Sequence, residues 1–242
     1  YCYLKGYKLF NKRDVERAIL IGFLLLFVDM AAVIWAEQYI SSAIVSILGA
    51  AAAIWFVLLD KPKWKANFGS IPIVLGLILG FGGVVMLFGE QLVNSNSESG
   101  GYNVIAMLVM IFGTIAWTVG SLYTKYTQDK KPTTEDRKIK PLNVMVKTAW
   151  QMVTAGVAFT LSALITGEYS TFSFASVPLE GWGSIIYLIT MGSILAFSCY
   201  IWLLQVRPAT EVSTYAYVNP VVALFLAHFF TQHKVTALQI LG

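Results

Sequence analysis

The chain alternates between long stretches that contain no charged residue and short polar segments. Six charge-free stretches of 20 to 26 residues lie at 38–59, 66–89, 99–124, 148–167, 181–206 and 212–233. A seventh stretch, at 17–38, is equally apolar but contains Asp29 and Glu37. A transmembrane helix needs about 20 apolar residues, and unbroken apolarity favours helices over barrel strands, which alternate with period two. The pattern predicts an all-α, polytopic transmembrane helix bundle with about seven complete spans.

Two short segments at the ends of the sequence predict additional, incomplete helices. Residues 1–10 resemble the tail of a preceding helix, and residues 235–242 resemble the start of a following one. The sequence begins with Tyr1 rather than Met, and it shows no signal-peptide pattern. We therefore expect it to start inside a longer protein and to carry two end stubs besides the complete spans.

Lys and Arg are distributed unevenly among the segments between the spans. When successive segments are assigned to alternate sides of a bilayer, 16 of the 17 basic residues fall on one side. Seven of them lie at 125–147, whereas the segments 90–101 and 168–180 contain none. An excess of Lys and Arg marks cytoplasmic segments. The count predicts that the chain start and the 125–147 loop are cytoplasmic.

Composition narrows the classes of function. The chain is 57% hydrophobic and 12% charged, whereas soluble domains are about 45–50% apolar and about 25% charged. This excludes a typical soluble enzyme and a nucleic-acid binder. The sequence has no phosphate-binding loop, no zinc-binding helix motif and no Ser–His–Asp pattern. We expect no enzyme activity, no cofactor and no metal site. The expected partners are a small-molecule substrate and the lipid bilayer, and no nucleic acid is expected. The chain acts either alone or as a homodimer.

The order of spans indicates a weak internal repeat. A pair of spans joined by a very short turn occurs at 17–59 and again at 181–231, with the long basic loop between the two copies. An odd number of spans per copy would give the two copies opposite orientations. Inverted repeats of this kind are typical of secondary transporters, in which the substrate site lies near the midplane of the membrane.

Four ordered segments have a recognisable pattern: AEQYISSAIVSILG (36–49), GLILGFGGVVML (76–87), GTIAWTVGSLY (113–123) and PATEVSTYAYVNPVVALFLA (208–227). Together they resemble the EamA-type transporters of the drug/metabolite transporter superfamily, in a branch of bacterial inner-membrane permeases. The resemblance implies ten helices in two inverted five-helix repeats, and a multi-pass protein of the bacterial plasma membrane. It also implies export of small metabolites such as amino acids or toxic analogues.

The resemblance divides the chain into three parts. Residues 1–125 are expected to hold the first repeat without its first helices, together with the opening helix of the second repeat at 102–125. Residues 126–141 are expected to form a cytoplasmic loop. Residues 142–242 are expected to hold the remainder of the second repeat, which lacks its last helix.

Two acidic residues in the first span are candidate cavity residues. Asp29 lies about midway along its span, where a carboxylate costs roughly 2.5–3.5 kcal/mol on insertion scales. It is expected to face the protein interior and to couple protons or bind an amine, or alternatively to pack two helices through a hydrogen bond. Glu37 lies near the outer surface, where it either attracts cations at the cavity mouth or caps the turn that follows.

The polar stretch before Pro220 is a second source of candidate cavity residues. Tyr215 and Asn219 are four residues apart and therefore share a helix face, and Tyr217 lies on an adjoining face. Pro220 cannot donate a helical hydrogen bond and frees the carbonyl of Ala216. This stretch predicts a cavity wall with a helix hinge at Pro220, or alternatively a structural kink.

Two other aromatic residues and a set of glycines complete the candidates. Trp117 is predicted to form a wall on which a substrate stacks, or alternatively to pack where Gly113 and Gly120 let helices approach. Tyr200 belongs to a weaker polar set that also faces the predicted cavity. The small-residue face of Gly76, Gly80 and Gly83 is predicted to serve helix packing, as in other Gly-x-x-x-Gly contacts.

The favoured function is a secondary membrane transporter that works by alternating access. A non-transporting receptor or scaffold would present longer loops, and a membrane-embedded enzyme would cluster polar catalysts at one interface. A nucleotide-sugar or sugar-phosphate exchanger of the same superfamily would carry several Lys or Arg residues inside the spans. Here the basic residues lie in loops or at helix ends.

Overall fold

The structure is a computed structural model that describes residues 2, 5–94, 102–128, 142–170 and 172–231. Within these ranges the chain forms helices and turns and contains no β-strand. The α-helices are, in chain order, α1 (Lys12–Gly22), α2 (Asp29–Ala36), α3 (Ser42–Ala50), α4 (Ala52–Leu59), α5 (Trp64–Phe68), α6 (Ile71–Asn94), α7 (Tyr102–Gln128), α8 (Val144–Thr166), α9 (Leu179–Tyr187), α10 (Phe197–Val206), α11 (Ala209–Val212) and α12 (Tyr215–Thr231). Short 3₁₀ turns lie at Lys61–Lys63, Glu168–Ser170 and Phe174–Ser176, and π-helical segments at Phe23–Val28 and Leu188–Ala196.

Several of these helices are long and apolar enough to cross a membrane. Four described stretches meet this condition: Lys12–Ala36, Tyr102–Thr127, Val144–Thr166 and Leu179–Val206. The pair Ile44–Leu59 and Lys61–Phe68 meets it only when both helices are counted as one span, because they are bent by 67°. In the most apolar window of Leu179–Val206 only 11% of the residues are buried, and helices that are apolar on all sides are typical of membrane spans. The predicted polytopic helix bundle is confirmed.

The remaining predicted spans form helices whose described ends differ from the predicted ones. The stretch 38–59 is divided at Ala51 into α3 and α4, and α3 begins at Ser42, where the Ser41 side chain accepts a hydrogen bond from the Ile44 N–H at 3.5 Å. The helix α6 spans Ile71–Asn94, and its portion Ile71–Met86 is apolar. The helix α12 is described over Tyr215–Thr231. Absence of charge therefore located these helices but not their first residues.

Only residues 2 and 5–10 of the segment that is predicted to form the tail of a helix are described. Residues 7–10 have no regular secondary structure. The Tyr7 N–H donates to the carbonyl of Cys2 at 3.1 Å, and Gly6 adopts a φ of 67°. A bond of this span around a left-handed glycine is the Schellman motif, which follows the C-terminus of a helix. These features agree with a helix tail before Gly6, which stays a prediction. The second predicted stub, 235–242, lies outside the described residues.

The chain divides into two compact units. The first unit contains Tyr1–Phe27 and Tyr123–Arg207, and the second unit contains Val28–Leu122 and Pro208–Gly242. These boundaries differ from the predicted repeats at 1–125 and 142–242. Compactness and internal repetition are separate properties, so the division into repeats stays a prediction. Most of the predicted loop at 126–141 lies outside the described residues, and residues 126–128 continue α7.

In the first unit, α1 packs along α8 with both helices running in the same direction. Asp14 at the start of α1 accepts a hydrogen bond from the Leu142 N–H at 2.8 Å, just before α8 begins. At the other end of α1, a Cβ on Gly22 would lie 2.5 Å from the backbone oxygen of Gln151. The two backbones therefore approach as closely as glycine permits, and an apolar cluster that includes Val15 fills the space near the helix starts.

In the second unit, small residues bring α2 and α3 against their neighbours. A cluster that includes Ala36, Val45 and Ala106 joins α2, α3 and α7. A Cβ on Gly113 of α7 would lie 2.7 Å from the Cβ of Ala32 and 3.5 Å from the Cα of Asp29. The contact at Gly113 therefore sets the position of Asp29 relative to α7.

Candidate substrate cavity

A cavity of about 410 Å³ lies within the second unit. This volume is in the range of small-molecule sites, which are about 300–1,000 Å³. Its walls come from α2, α3 with the start of α4, α7 and α12. The lining residues are Asp29, Met30, Val33, Val45, Ser46, Gly49, Ala50, Ala52, Met110, Thr114, Trp117, Tyr215, Ala216, Asn219 and Pro220.

Asp29 supplies the acidic group of the cavity. It is the first residue of α2, directly after the π-helical segment Phe23–Val28, and local π-helical geometry is frequent at functional sites. The residue is 7% exposed, and none of the described residues forms an ion pair or hydrogen bond with its carboxylate. A buried carboxylate without a partner is costly in an apolar surrounding. The cavity thus presents an acidic group that a bound molecule can satisfy.

The other polar groups of the cavity are uncharged. None of its lining residues in the described chain is Lys, Arg or His. The hydroxyls of Ser46 and Thr114 donate to carbonyls of their own helices, at 2.8 Å to Ser42 and 2.9 Å to Ile111. Their remaining lone pairs can accept hydrogen bonds. The cavity therefore offers several acceptors around a single carboxylate.

The wall from α12 carries the polar stretch that precedes Pro220. Four residues of this wall line the cavity: Tyr215, Ala216, Asn219 and Pro220. They are the first, second, fifth and sixth residues of α12. Pro220 lies inside the helix, so its nitrogen cannot donate to the carbonyl four residues earlier. That carbonyl belongs to Ala216, and it provides a second acceptor on this wall beside the Asn219 amide.

The wall from α7 is mostly apolar and contains Trp117. Three residues of this wall, Met110, Thr114 and Trp117, line the cavity. They are spaced by four and three residues and therefore share one face of the helix. The indole ring of Trp117 and the ring of Tyr215 line the same cavity. An apolar or aromatic part of a ligand has contact surface on this side, while polar parts face Asp29 and α12.

Comparison with known proteins assigns this helix bundle to a family. The model of the EamA-like transporter family matches residues 104–242, which is more than half of the chain. The chain belongs to the EamA-like transporter family. It is 34% identical over 225 residues to the uncharacterized inner membrane transporter YedA of Escherichia coli K12, an alignment that covers 92% of this chain and 65% of YedA.

More distant relatives of this EamA-like chain carry similar names. The uncharacterized transporter sll0355 of Synechocystis is 24% identical over 195 residues, with coverage of 76% of this chain and 54% of the relative. The uncharacterized transporter YoaV of Bacillus subtilis is 18% identical over 237 residues, with coverage of 96% and 73%. The chain thus spans 65% of the length of YedA and about half the length of sll0355.

The structure of the EamA-like chain brings four of the predicted cavity residues together with the predicted hinge Pro220: Asp29, Trp117, Tyr215 and Asn219. Three other predicted residues do not line this cavity. Glu37 follows the last residue of α2 and is exposed. Tyr200 belongs to the first unit, where its ring lies 6.3 Å from that of Phe197. Tyr217 packs against α6, because two residues after Tyr215 the helix has turned by about 200°.

The predicted glycine face of α6 has one clear contact. A Cβ on Gly80 would lie 2.7 Å from the Cδ2 atom of Tyr217, so Gly80 accommodates the tyrosine ring. A Cβ on Gly76 would meet none of the described atoms within 4 Å, and Gly83 is half-buried. A packing role for Gly76 and Gly83 stays a prediction.

The wall from α3 was missed by the sequence analysis. Val45, Ser46 and Gly49 line the cavity, although they lie inside the segment that carries the family resemblance. The available signal was weak: a small and a polar residue, Gly49 and Ser46, stand three positions apart on one face of an otherwise apolar helix. Small and hydroxyl-bearing residues are also enriched where membrane helices pack.

Proposed function

We propose that the protein is a secondary transporter that exports a small amphipathic molecule with an amino group, such as an amino acid or a toxic analogue. The observation that carries this proposal is the buried carboxylate of Asp29, which lines a cavity of about 410 Å³ that has no basic residue among its described lining. An ammonium group satisfies such a carboxylate by a charge-assisted hydrogen bond. Membership of the EamA-like transporter family supports transport as the activity.

The remaining groups of the cavity suit the other parts of an amino acid. The amide NH₂ of Asn219 can donate to a substrate carboxylate. The Ala216 carbonyl, which Pro220 leaves without a helical donor, can accept from the ammonium group. Trp117, Met110 and Tyr215 provide apolar contact for a side chain. In this proposal Pro220 also lets α12 bend during alternating access.

The proposed setting is the bacterial inner membrane, with the chain start and the 125–147 loop in the cytoplasm. The positive-inside count supports this orientation, because 16 of the 17 basic residues fall on one side. The name of the relative YedA, an inner membrane transporter, supports the location. A sugar phosphate is disfavoured as substrate, because a phosphate would face the Asp29 carboxylate without a cation in the described cavity wall.

Counterflow in proteoliposomes tests the proposal. Vesicles that contain the full-length protein are loaded with one unlabelled amino acid and are then given labelled amino acids, their amine-free analogues and a sugar phosphate. We expect saturable accumulation of an amine-bearing compound and none of its amine-free analogue. Asp29→Asn should lower its apparent affinity about tenfold to hundredfold, because a hydrogen bond to a charged group is lost.

Glu37→Gln is the matched control, because it also neutralises one carboxylate but lies outside the cavity. It should transport at the level of the unchanged protein. Accumulation of the sugar phosphate, or equal loss in the Asp29→Asn and Glu37→Gln variants, would contradict the assigned substrate class. Absence of counterflow for every compound, with correctly folded protein, would contradict the amino-acid assignment.

A further inference from the structure

A second, smaller cavity lies within the first unit and has a different chemical character. Its volume is about 40 Å³, and α1, the end of α7, α8 and α10 form its walls. Arg17 and Lys147 line it together with the polar side chains of Gln151, Thr127 and Asp14. It contains two cations and one carboxylate, whereas the cavity of the second unit has no cation in its described wall.

The two cations have no partner in the described part of the chain. Arg17 and Lys147 are half-buried, yet neither forms an ion pair or a side-chain hydrogen bond with any described residue. Lys125 of the same unit behaves differently: its ammonium group donates to the carbonyls of Leu204 at 2.9 Å and Arg207 at 2.7 Å. Helix-end cations in this unit can therefore be satisfied locally, and the two that line the cavity are not.

Gln151 is a second and independent sign that the cavity takes a ligand. It is 2% exposed, and its Oε1 atom has no hydrogen-bond partner among the described residues. Buried polar groups in native proteins nearly always have a partner in the protein or in a bound molecule. A side-chain amide can turn either its oxygen or its NH₂ group toward such a molecule.

Asp14 does not neutralise the cavity. Its Oδ2 atom accepts hydrogen bonds from the Leu142 N–H at 2.8 Å and from the Asn11 side chain at 3.4 Å. The described lining keeps a net charge of +1. Because α1 and α8 run in the same direction, their N-termini lie at the same end, and helix N-termini favour anions.

We propose that this cavity binds a phosphate group, with Arg17 and Lys147 on its oxygens and with Gln151 and Thr127 as hydrogen-bond partners. About 40 Å³ holds roughly three water-sized groups at about 10–15 Å³ each, which suits one phosphate and excludes a nucleotide sugar. The fork of an Arg guanidinium matches phosphate geometry. The phosphate belongs either to a lipid headgroup, as in basic pockets between membrane helices, or to free phosphate. This site does not depend on what the second-unit cavity carries.

Thermal unfolding of the full-length protein in an uncharged detergent tests this site. Inorganic phosphate is titrated against chloride at equal ionic strength, and phosphatidylglycerol is titrated against diacylglycerol, which lacks the phosphate. A ligand that binds only the folded state raises the unfolding temperature in a saturable way. We expect such a rise with a phosphate-bearing compound. Arg17→Gln and Lys147→Gln should each raise its half-saturating concentration about fivefold or more.

Lys12→Gln is the matched control, because Lys12 is an exposed cation on the same helix that pairs with Glu16 at 4.0 Å. It should leave the half-saturating concentration unchanged. Gln151→Leu should weaken the phosphate response but leave the unfolding temperature without ligand unchanged. If the cation variants fold poorly, this variant tests phosphate binding in their place.

The two sources of phosphate give different results. A response to both inorganic phosphate and phosphatidylglycerol supports a site that takes the free anion. A response to phosphatidylglycerol alone supports a lipid headgroup. No response beyond the chloride and diacylglycerol controls would overturn the proposal, and so would equal weakening by Lys12→Gln.

Discussion

The cavities of the two units differ in size and in charge. The second-unit cavity has a volume of about 410 Å³ and places one carboxylate, that of Asp29, among apolar and uncharged polar side chains. The first-unit cavity has a volume of about 40 Å³ and places Arg17 and Lys147 beside a buried amide. The chain therefore places an acidic cavity and a basic cavity in separate units.

The two cavities are built in the same way, and they differ in which polar residue lies beside a close contact between helices. In each unit a glycine brings two helices together next to the buried polar residue. Gly22 lies against the backbone of Gln151, and Gly113 lies against Ala32 and the backbone of Asp29. The glycine sets the distance between the two helices. The polar residue packed beside it determines which functional group lines the cavity. Substitutions at these glycines test whether the two sites are independent.

Gly22→Val should have the largest effect. The new Cβ would lie 2.5 Å from a backbone oxygen and 2.6 Å from the Cα of Gln151, and backbone atoms cannot move aside as a side-chain end can. We expect the variant to lose about 3 kcal/mol of stability. Thermal denaturation monitored by size-exclusion chromatography in detergent measures the change.

Gly156→Val is the control for this experiment, because a Cβ at that position of α8 meets none of the described atoms within 4 Å. Its unfolding temperature should stay close to that of the unchanged protein. Equal stability of the two variants would contradict the close contact between α1 and α8.

Gly113→Ala should have a smaller effect that is concentrated on transport. The alanine Cβ would lie 2.7 Å from the Cβ of Ala32, so α2 and α7 must separate slightly. We expect a loss of about 1–2 kcal/mol of stability and a lower rate of counterflow, because Asp29 shifts with α2.

The double variant Gly113→Ala with Ala32→Gly restores the space between the helices and serves as the control. Its counterflow rate should recover most of the loss, since residues in direct contact give non-additive effects in a double-mutant cycle. Additive losses in the double variant would show that Gly113 acts by some route other than contact with Ala32.

Tyr217→Phe should have the smallest effect. The Tyr217 hydroxyl is buried and has no hydrogen-bond partner among the described residues, and its ring packs on Gly80. Removal of an unsatisfied buried hydroxyl should leave stability unchanged or raise it by about 1 kcal/mol. Counterflow should also be unchanged. A strong loss of counterflow would show that Tyr217 contributes to the substrate cavity. The second variant, Tyr217→Ala, should lower the unfolding temperature because it empties the space beside Gly80.

The sequence alone allowed the helices to be predicted, because charge is excluded from the interior of a bilayer and its absence is visible in the letters. It also drew attention to four candidate cavity residues and the candidate hinge Pro220 that line the second-unit cavity, since a carboxylate, an asparagine or a proline inside an apolar helix is unusual and needs a reason. The break at Ala51 was not visible, because alanine is equally compatible with a continuous helix. The apolar stretch 38–59 was therefore predicted as one span.

The rest of the site depends on which helices lie next to each other, and this information is not local. Tyr215 and Tyr217 have the same chemistry and nearly the same position, yet one lines the cavity and the other packs on Gly80. Only the rotation of α12 relative to α6 separates them. Likewise, Arg17 and Lys147 are ordinary helix-end cations in the sequence, and they share a cavity because α1 and α8 run in the same direction.

The π-helical segment Phe23–Val28 has a consequence for how this gene can change in evolution. It joins α1, which is held at Gly22, to α2, which is held at Gly113. Hydrogen bonds in a π-helix skip one residue more than those in an α-helix. Loss of one codon within the segment can therefore be absorbed by a change from π-helical to α-helical bonding, while each glycine keeps the contact within its own unit. Lineages should vary both the letters of this segment and, by one residue, its length, while they keep the glycines on either side.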